Sequence, residues 1–265
     1  MKQTILSQLT TECPWRDTLY WYDTIDSTNA KAKQMALHGA PHGTVVIAGS
    51  QTGGRGRLGR SFFSPEAMGV YLSVILRPGC TADRLMHLTC AAAVACCEAV
   101  ESAAGIQPQV KWINDLVWET KKLGGILTEL SFDAQGLVDF AVIGIGINCL
   151  QQEEDFPEEL QNIATSLAMI TGRDCSVANM AAALITSLHK MSSRLLAEKT
   201  QILDAYRRRC ITLGKAVKLL CHEQVRCGTA LDLNEDGELI VRFSDGSLEA
   251  VRSGEVSVRG MYGYQ

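Results

Sequence analysis

No C-x-x-C pair occurs among the ten cysteines of this 265-residue chain, which removes the usual redox and zinc-ribbon spacings at the outset. Cys90, Cys96 and Cys149 fall in apolar helical or strand patterns, where cysteine packs as a small hydrophobe. Reduced thiols and a cytoplasmic location are therefore expected. Cys221, His222 and Cys227 would make a metal set only with a fourth ligand at zinc-like spacing, so no protein-held metal centre is expected. Residues 1–8 lack the apolar core of a secretory signal. The most apolar run, residues 85–100, is interrupted by His87, Thr89 and Glu98 and reads as too short to cross a bilayer, so no membrane partner is expected. The formal net charge is −4, without the overall basic excess of a nucleic-acid binder. There is no Walker-type G-x-x-x-x-G-K-[ST], no G-x-S-x-G with a partner histidine, no internal repeat and no low-complexity linker.

Against that background one stretch stands out. Gly53-Gly54-Arg55-Gly56-Arg57-Leu58-Gly59-Arg60 puts three arginines and four glycines into eight residues. Glycine lets a ligand approach the backbone, whose amides can turn inward as donors. Arginine stays protonated and offers a planar fork to carboxylate and phosphate oxygens. Apolar, β-branched runs flank the segment at residues 44–48 and 70–76, so it is expected to be a basic loop between two strands.

Two further polar clusters lie at strand ends. Ser27-Thr28-Asn29 follows a short strand at residues 19–22 and precedes a helix over residues 30–37; these side chains suit either an N-cap or a small polar ligand. Lys111-Trp112-Ile113-Asn114-Asp115 and Lys121-Lys122-Leu123-Gly124-Gly125 bracket another turn, and an apolar strand over residues 138–147 ends in Gly144-Ile145-Gly146-Ile147-Asn148. That G-x-G lies inside a strand and opens no helix, so it is read as allowing close backbone approach. Helices are expected over residues 81–104 and 176–210, with the acidic residues 153–155 as a solvated face. From Lys215 the texture becomes short alternating strands with turns at Asp236-Gly237 and Asp245-Gly246, a small β-barrel. The expected division is an α/β (α+β) domain over residues 1–213 and the barrel over 214–265.

If the three clusters converge, the pocket has an apolar body, arginines on a flap and lysines beside it. It suits the joining of two anions, a carboxylate and the α-phosphate of a nucleotide, by charge neutralisation and positioning.

The ordered set from Ser27-Thr28-Asn29 through GRGRLGR, Lys111-Trp112-Ile113-Asn114-Asp115 and Lys122-Leu123-Gly124-Gly125 resembles the biotin protein ligases, from about residue 20 to the C-terminus. The resemblance implies a catalytic domain related to class II aminoacyl-tRNA synthetases and a C-terminal SH3-like barrel. It implies that biotin and ATP, with Mg2+, form biotinyl-5′-adenylate, and that a lysine of a biotin carboxyl carrier domain then takes the biotin. By the same resemblance Ser27, Thr28, Asn29, Gln51, Arg55, Gly56, Arg57, Lys122 and Gly125 contact biotin, while Arg57, Arg60, Lys111, Asn114, Asp115 and Asn148 lie near the nucleotide. Lys122 would bridge carboxylate and phosphate, Arg57 would close a disordered flap over the adenylate, and Asp115 would orient or deprotonate the acceptor lysine or serve magnesium. Ile113 stands where relatives often carry proline, and Phe62 and Phe63 where they often carry tryptophan. Residues 1–14 are too short for a three-helix DNA-binding domain, so no DNA partner and no repressor role are expected; the chain is expected to be a monomer or homodimer. A lipoate or octanoate ligase of related fold is the nearest alternative, and an RNA-binding module using the Gly/Arg loop the alternative from another class.

Overall fold

The computed structural model describes residues 1–221, 224–252 and 255–258. In chain order the elements are α1 (Lys2–Gln8), β1 (Leu19–Ile25), α2 (Thr28–Leu37), β2 (Thr44–Gln51), β3 (Gly69–Leu76), α3 (Leu88–Ala104), β4 (Gln109–Lys111), β5 (Asp115–Trp118), β6 (Lys121–Phe132), β7 (Val138–Asn148), α4 (Glu158–Gln161), α5 (Leu167–Thr171), α6 (Val177–Arg194), α7 (Lys199–Arg209), β8 (Ala216–Cys221), β9 (Gln224–Leu233), β10 (Leu239–Phe243), β11 (Leu248–Val251) and β12 (Glu255–Val258).

The first seven strands form one mixed sheet in the order β1-β2-β3-β7-β6-β5-β4, in which β1 and β2 run parallel and the remaining neighbours antiparallel. Central β3 is buried at every position, as expected of an apolar run covered on both faces. On one face of the sheet α6 packs against β3 and α3 against β5 and β6, and α2 lies on the other face over Val46, Ile75, Phe140 and Val142. The last five strands make a separate antiparallel sheet, ordered β11-β10-β9-β8-β12.

Several expectations are revised. The helix expected over residues 81–104 begins as a 3₁₀ turn, Ala82–Leu85, and becomes α-helical only from Leu88. Its span Ala82–Ala104 is, by length and composition, sufficient to cross a membrane, contrary to the sequence reading. It is instead the central core helix, with 72% of that window buried. The pattern over residues 176–210 divides into α6 and α7, and the strand β11, the helices α4 and α5, and the extension of β1 to Ile25 had no clear periodic signal. His222 and Arg259 lie outside the described residues, as does the side chain of Cys221.

Tertiary contacts tie the small sheet to the large one. Trp112, 4% exposed, donates from Nε1 to the Gly237 carbonyl at 3.0 Å, and its backbone N–H donates to Thr212 Oγ1 at 2.9 Å. Gly237 has φ 81°, and a Cβ there would crowd Cys90. The β9–β10 turn thus plugs onto α3 through a position that needs glycine for both conformation and space. Lys199 pairs with Asp236 at 2.6 Å and Arg207 with Asp232 at 2.9 Å on the rim of this contact.

Candidate active site

A cavity of about 420 Å³ opens at the ends of β2, β5, β6 and β7. Every residue expected to act lines it: Ser27, Thr28, Asn29, Gln51, Arg55, Gly56, Arg57, Arg60, Lys111, Asn114, Asp115, Lys122, Gly125 and Asn148. The sheet order explains the convergence. The segments carrying these residues are far apart in sequence, yet their strands neighbour one another and end on the same side.

At one end, Ser27 is the N-cap of α2 and accepts from the Ala30 N–H at 3.4 Å. Capping and cavity lining are therefore both true of it. Gln51 Oε1 accepts the Thr28 N–H at 2.8 Å, while Gln51 Nε2 donates to Ser64 Oγ at 2.9 Å. Its amide is held from both sides before any ligand arrives.

The G-x-G of β7 works differently from its sequence reading. A Cβ at Gly144 would overlap the Asn29 amide, and one at Gly146 would overlap the Phe62 ring. These glycines make room for side chains lying flat on the strand, more than for a second backbone. Phe62 also meets Tyr71 edge-on at 6.5 Å, and Phe63 meets Phe156 at 6.2 Å. The phenylalanines supply apolar wall.

The basic loop is folded, where the sequence reading expected a disordered flap. Gly56 N–H donates to the Arg60 carbonyl at 2.7 Å, Phe62 N–H to the Gly54 carbonyl at 2.9 Å, and a short 3₁₀ turn, Arg57–Gly59, forms the tip. Leu58 in that tip is left-handed at φ 56°, a conformation that costs a branched residue about 1–2 kcal/mol. Arg57 reaches across the cavity and donates from Nη1 to Asn114 Oδ1 at 2.8 Å. Burial pushes its guanidinium down, and Asp115 opposes that shift; an arginine so placed still carries its charge.

Opposite the loop lies a compact charged group. Lys122 Nζ is 2.7 Å from Asp115 Oδ1, and Asn114 Nδ2 donates to the same oxygen at 3.2 Å. The Asn114 carbonyl accepts the Ile126 N–H at 2.9 Å, which fixes the turn after the cis Trp112–Ile113 peptide bond. Lys122 is held by a single parallel bridge to Ala164: its N–H donates to Ile163 O at 2.7 Å and its carbonyl accepts from Thr165 N at 2.8 Å. Asn148 is anchored through Nδ2 to the Thr165 carbonyl at 2.9 Å. Lys111, opposite Asp115 in the β4–β5 pair, is buried in the lining.

The sequence reading missed part of the wall. Phe156, Leu160, Ile163 and Ala164 line the cavity from the segment that follows the acidic residues 153–155. Glu153 and Glu154 are indeed exposed; the apolar residues spaced between and after the acids were the available signal. Ser64 and Ser73 were also missed, because a lone serine in a strand or loop has no pattern of its own.

Among the described residues no group of three or more His, Cys, Asp and Glu could hold a metal. A single carboxylate, Asp115, with amide oxygens nearby, does not make a protein-only cage. It fits a magnesium ion that arrives on a triphosphate and keeps most of its ligands from phosphate and water.

Comparison with known proteins agrees with this geometry. Residues 21–148 match the biotin/lipoate A/B protein ligase family, and residues 212–259 match the biotin protein ligase C-terminal domain. The bifunctional ligase/repressor BirA of Bacillus subtilis is 36% identical over 229 residues, covering 86% of this chain and 70% of that protein. The biotin–[acetyl-CoA-carboxylase] ligase of Mycobacterium tuberculosis is 31% identical over 236 residues, covering 87% and 85%. Among solved structures, the biotin protein ligase of Aquifex aeolicus in complex with biotin and ATP superposes with a TM-score of 0.77 at 31% identity, covering 91% of this chain and 98% of that one. With its strand ends, basic loop and C-terminal sheet all matched in this way, the chain belongs to the biotin protein ligase family.

Proposed function

We propose that this chain activates biotin with ATP as biotinyl-5′-adenylate and transfers it to a lysine of a biotin carboxyl carrier domain. The observation that carries the reading is the single cavity that gathers Arg57, Lys122 and Lys111 at one end and the neutral Thr28, Asn29 and Gln51 at the other. An uncharged, hydrogen-bonding ring fits the second end and an anion the first. The carboxylate of the ligand and the α-phosphate of the nucleotide repel each other in water. Fixed cations that need no rearrangement remove that repulsion as they approach.

Each residue then has a task. Lys122 leaves Asp115 to bridge carboxylate and phosphate while negative charge builds. Asp115 holds the ammonium ready beforehand and orients the incoming acceptor amine afterwards. Asn114 docks Arg57, so the loop closes over the adenylate and excludes water that would hydrolyse the mixed anhydride. Arg55, Gly56 and Arg60 shape that loop, Gly125 gives the ligand backbone to lie against beside Lys122, and Asn148 with Lys111 lines the nucleotide side. Magnesium, bound with ATP, supplies charge neutralisation at the phosphates. The domain division at 214 gives the barrel a role: through Trp112 and Gly237 it buttresses the turn that carries Asn114 and Asp115. The nine described cysteines are free thiols, in keeping with a cytoplasmic enzyme.

Incubation with ATP, magnesium, a biotin carrier domain and either biotin or lipoate tests this directly. Intact-mass measurement is expected to show biotin alone attached to the carrier. Attachment of lipoate instead would assign the chain to the lipoate branch of its family.

A further inference from the structure

Two thiols meet one residue along the chain from the cavity wall. Cys149 follows Asn148 at the end of β7 and is buried, while Cys175, in the turn between α5 and α6, is half-buried. The Cys175 Sγ lies 3.5 Å from the Cys149 carbonyl, and the two side chains share a hydrogen bond. As a thiol, Cys175 gives its proton to that carbonyl; as a thiolate, it accepts the S–H of Cys149. The shared bond lowers the Cys175 thiol below its ordinary range, and the same bond, with burial, holds that of Cys149 well above it. One member is therefore accessible and disposed to ionise, and the other is sheltered and keeps its proton. That division of labour suits an attacking thiolate beside a resolving thiol. Cys90, Cys96 and Cys97 are buried along α3, where burial pushes each thiol up, so none of them offers an accessible attacking sulfur.

Hydrogen bonds connect the pair to the cavity. The Cys149 carbonyl accepts the Ala168 N–H at 2.8 Å, Asn148 Nδ2 donates to the Thr165 carbonyl at 2.9 Å, and the Thr165 N–H donates to the Lys122 carbonyl at 2.8 Å. A disulfide holds its sulfurs about 2 Å apart, closer than a hydrogen bond does. Closing it draws the end of β7 and the α5–α6 turn together, and Asn148 moves with its neighbour.

We propose that Cys149 and Cys175 form a site of reversible oxidation by hydroperoxides, and that the disulfide made there weakens nucleotide binding through Asn148. The second half rests on the function proposed above, which puts Asn148 beside the nucleotide; the first half stands on the thiols alone. With hydrogen peroxide, the Cys175 thiolate attacks one oxygen, the O–O bond breaks, and the hydroxide released recovers the proton that Cys175 gave up. The Cys149 sulfur then attacks the sulfenic sulfur of Cys175, the S–O bond breaks, and the second hydroxide leaves as water with the Cys149 proton. Two thiols are oxidised to one disulfide, and one peroxide is reduced to two waters. In a reducing compartment such a bond is transient, as befits a sensor.

Treating the full chain with a small excess of hydrogen peroxide tests this. Peptide mapping without reductant is expected to show a Cys149–Cys175 crosslink. In biotin-dependent pyrophosphate exchange, KM for ATP rises about tenfold, the scale of one hydrogen bond lost, KM for biotin stays as it was, and dithiothreitol restores the starting values. Cys175→Ser matches the parent before treatment and keeps its KM for ATP afterwards. Cys149→Ala gives no crosslink and leaves a sulfenic acid on Cys175 that a cyclic diketone captures. Cys227→Ser responds to peroxide as the parent does. Both thiols left free after treatment, a crosslink joining other cysteines, or an oxidised protein with an unchanged KM for ATP would overturn the proposal. So would an equal response in Cys175→Ser. Exchange absent from the reduced chain would instead remove the proposed function, and with it the effect on nucleotide binding, while the crosslink would still decide the oxidation site.

Discussion

Lys122 has two separate attachments, and they divide its work. Its backbone is clamped to Ile163 and Thr165, while its ammonium, about one-third exposed, rests on Asp115 in an ion pair open to solvent on the lysine side. Such pairs contribute little to stability, so the lysine is placed for charge more than for holding the fold. Lys122→Ala should lower single-turnover formation of biotinyl-adenylate about 10²-fold, a typical loss for one preorganised donor, with the melting temperature nearly unchanged. Quenched-flow measurement of the adenylate checks this, and an unaltered rate would remove Lys122 from the mechanism. At this scale the sequence was most legible for side chains in unusual company: GRGRLGR, and lysines bracketing an Asn-Asp turn. Ser73 and Glu129 could not be read in the same way. Each is an ordinary residue in an ordinary strand, and its meaning comes from Asn29, which only the fold brings close. The glycines of β7 stand out in the sequence, but the side chains that lie across them, Asn29 and Phe62, are settled by tertiary contact.

Among the elements, the basic loop and the Trp112–Asn114 turn depend on each other. The loop's tip carries a left-handed, exposed Leu58, and Arg57 fastens it to Asn114. Arg57→Gly should release the tip and let adenylate escape. Trace labelling of bystander lysines on an unrelated protein would then rise severalfold, and mass spectrometry of that protein measures it; a variant that retains adenylate as well as its parent would contradict the role. On the other side of the turn, Trp112→Phe keeps the ring but removes the hydrogen bond to Gly237. Leaving that carbonyl unpaired in a buried contact should cost about 1–3 kcal/mol, read as a lower denaturant midpoint, with KM for ATP rising because Asn114 and Asp115 lose their support. Equal stability of parent and variant would show that the small sheet does not brace the turn. Strands and long helices were foreseeable from period and flanking turns. The helices α4 and α5 and the strand β11 were not, being four or five residues each and held by tertiary contact more than by pattern.

For the molecule as a whole, the large sheet gathers residues 27 to 148 into one cavity and the small one backs it, an arrangement that the alternation of strands and polar turns foretold in outline. What the sequence concealed was the closure of the cavity by residues 156–164, since that segment is held by tertiary contacts: the bridge at Lys122, the Lys121 ammonium on the Gln161 carbonyl and the Phe63–Phe156 ring contact. The core around α3 has a chemical signature. Burial pushes the thiols of Cys90 and Cys96 well up and that of Cys97 up to about 12, whereas a hydrogen bond with Cys149 lowers that of half-buried Cys175. Because the thiolate is the reactive form, iodoacetamide at mildly alkaline pH should modify Cys227 and Cys175 in the native protein, and Cys90, Cys96 and Cys97 only after denaturation. Peptide mapping checks the order, and native labelling of Cys96 at the rate of Cys227 would contradict the packing of α3.

The central claim is that one cavity joins a biotin carboxylate to the α-phosphate of ATP. Isotope exchange between pyrophosphate and ATP measures that step without any acceptor protein. The account predicts rapid exchange with biotin present and none when biotin is omitted or replaced by lipoate; exchange that proceeds without biotin, or fails with it, would contradict the account.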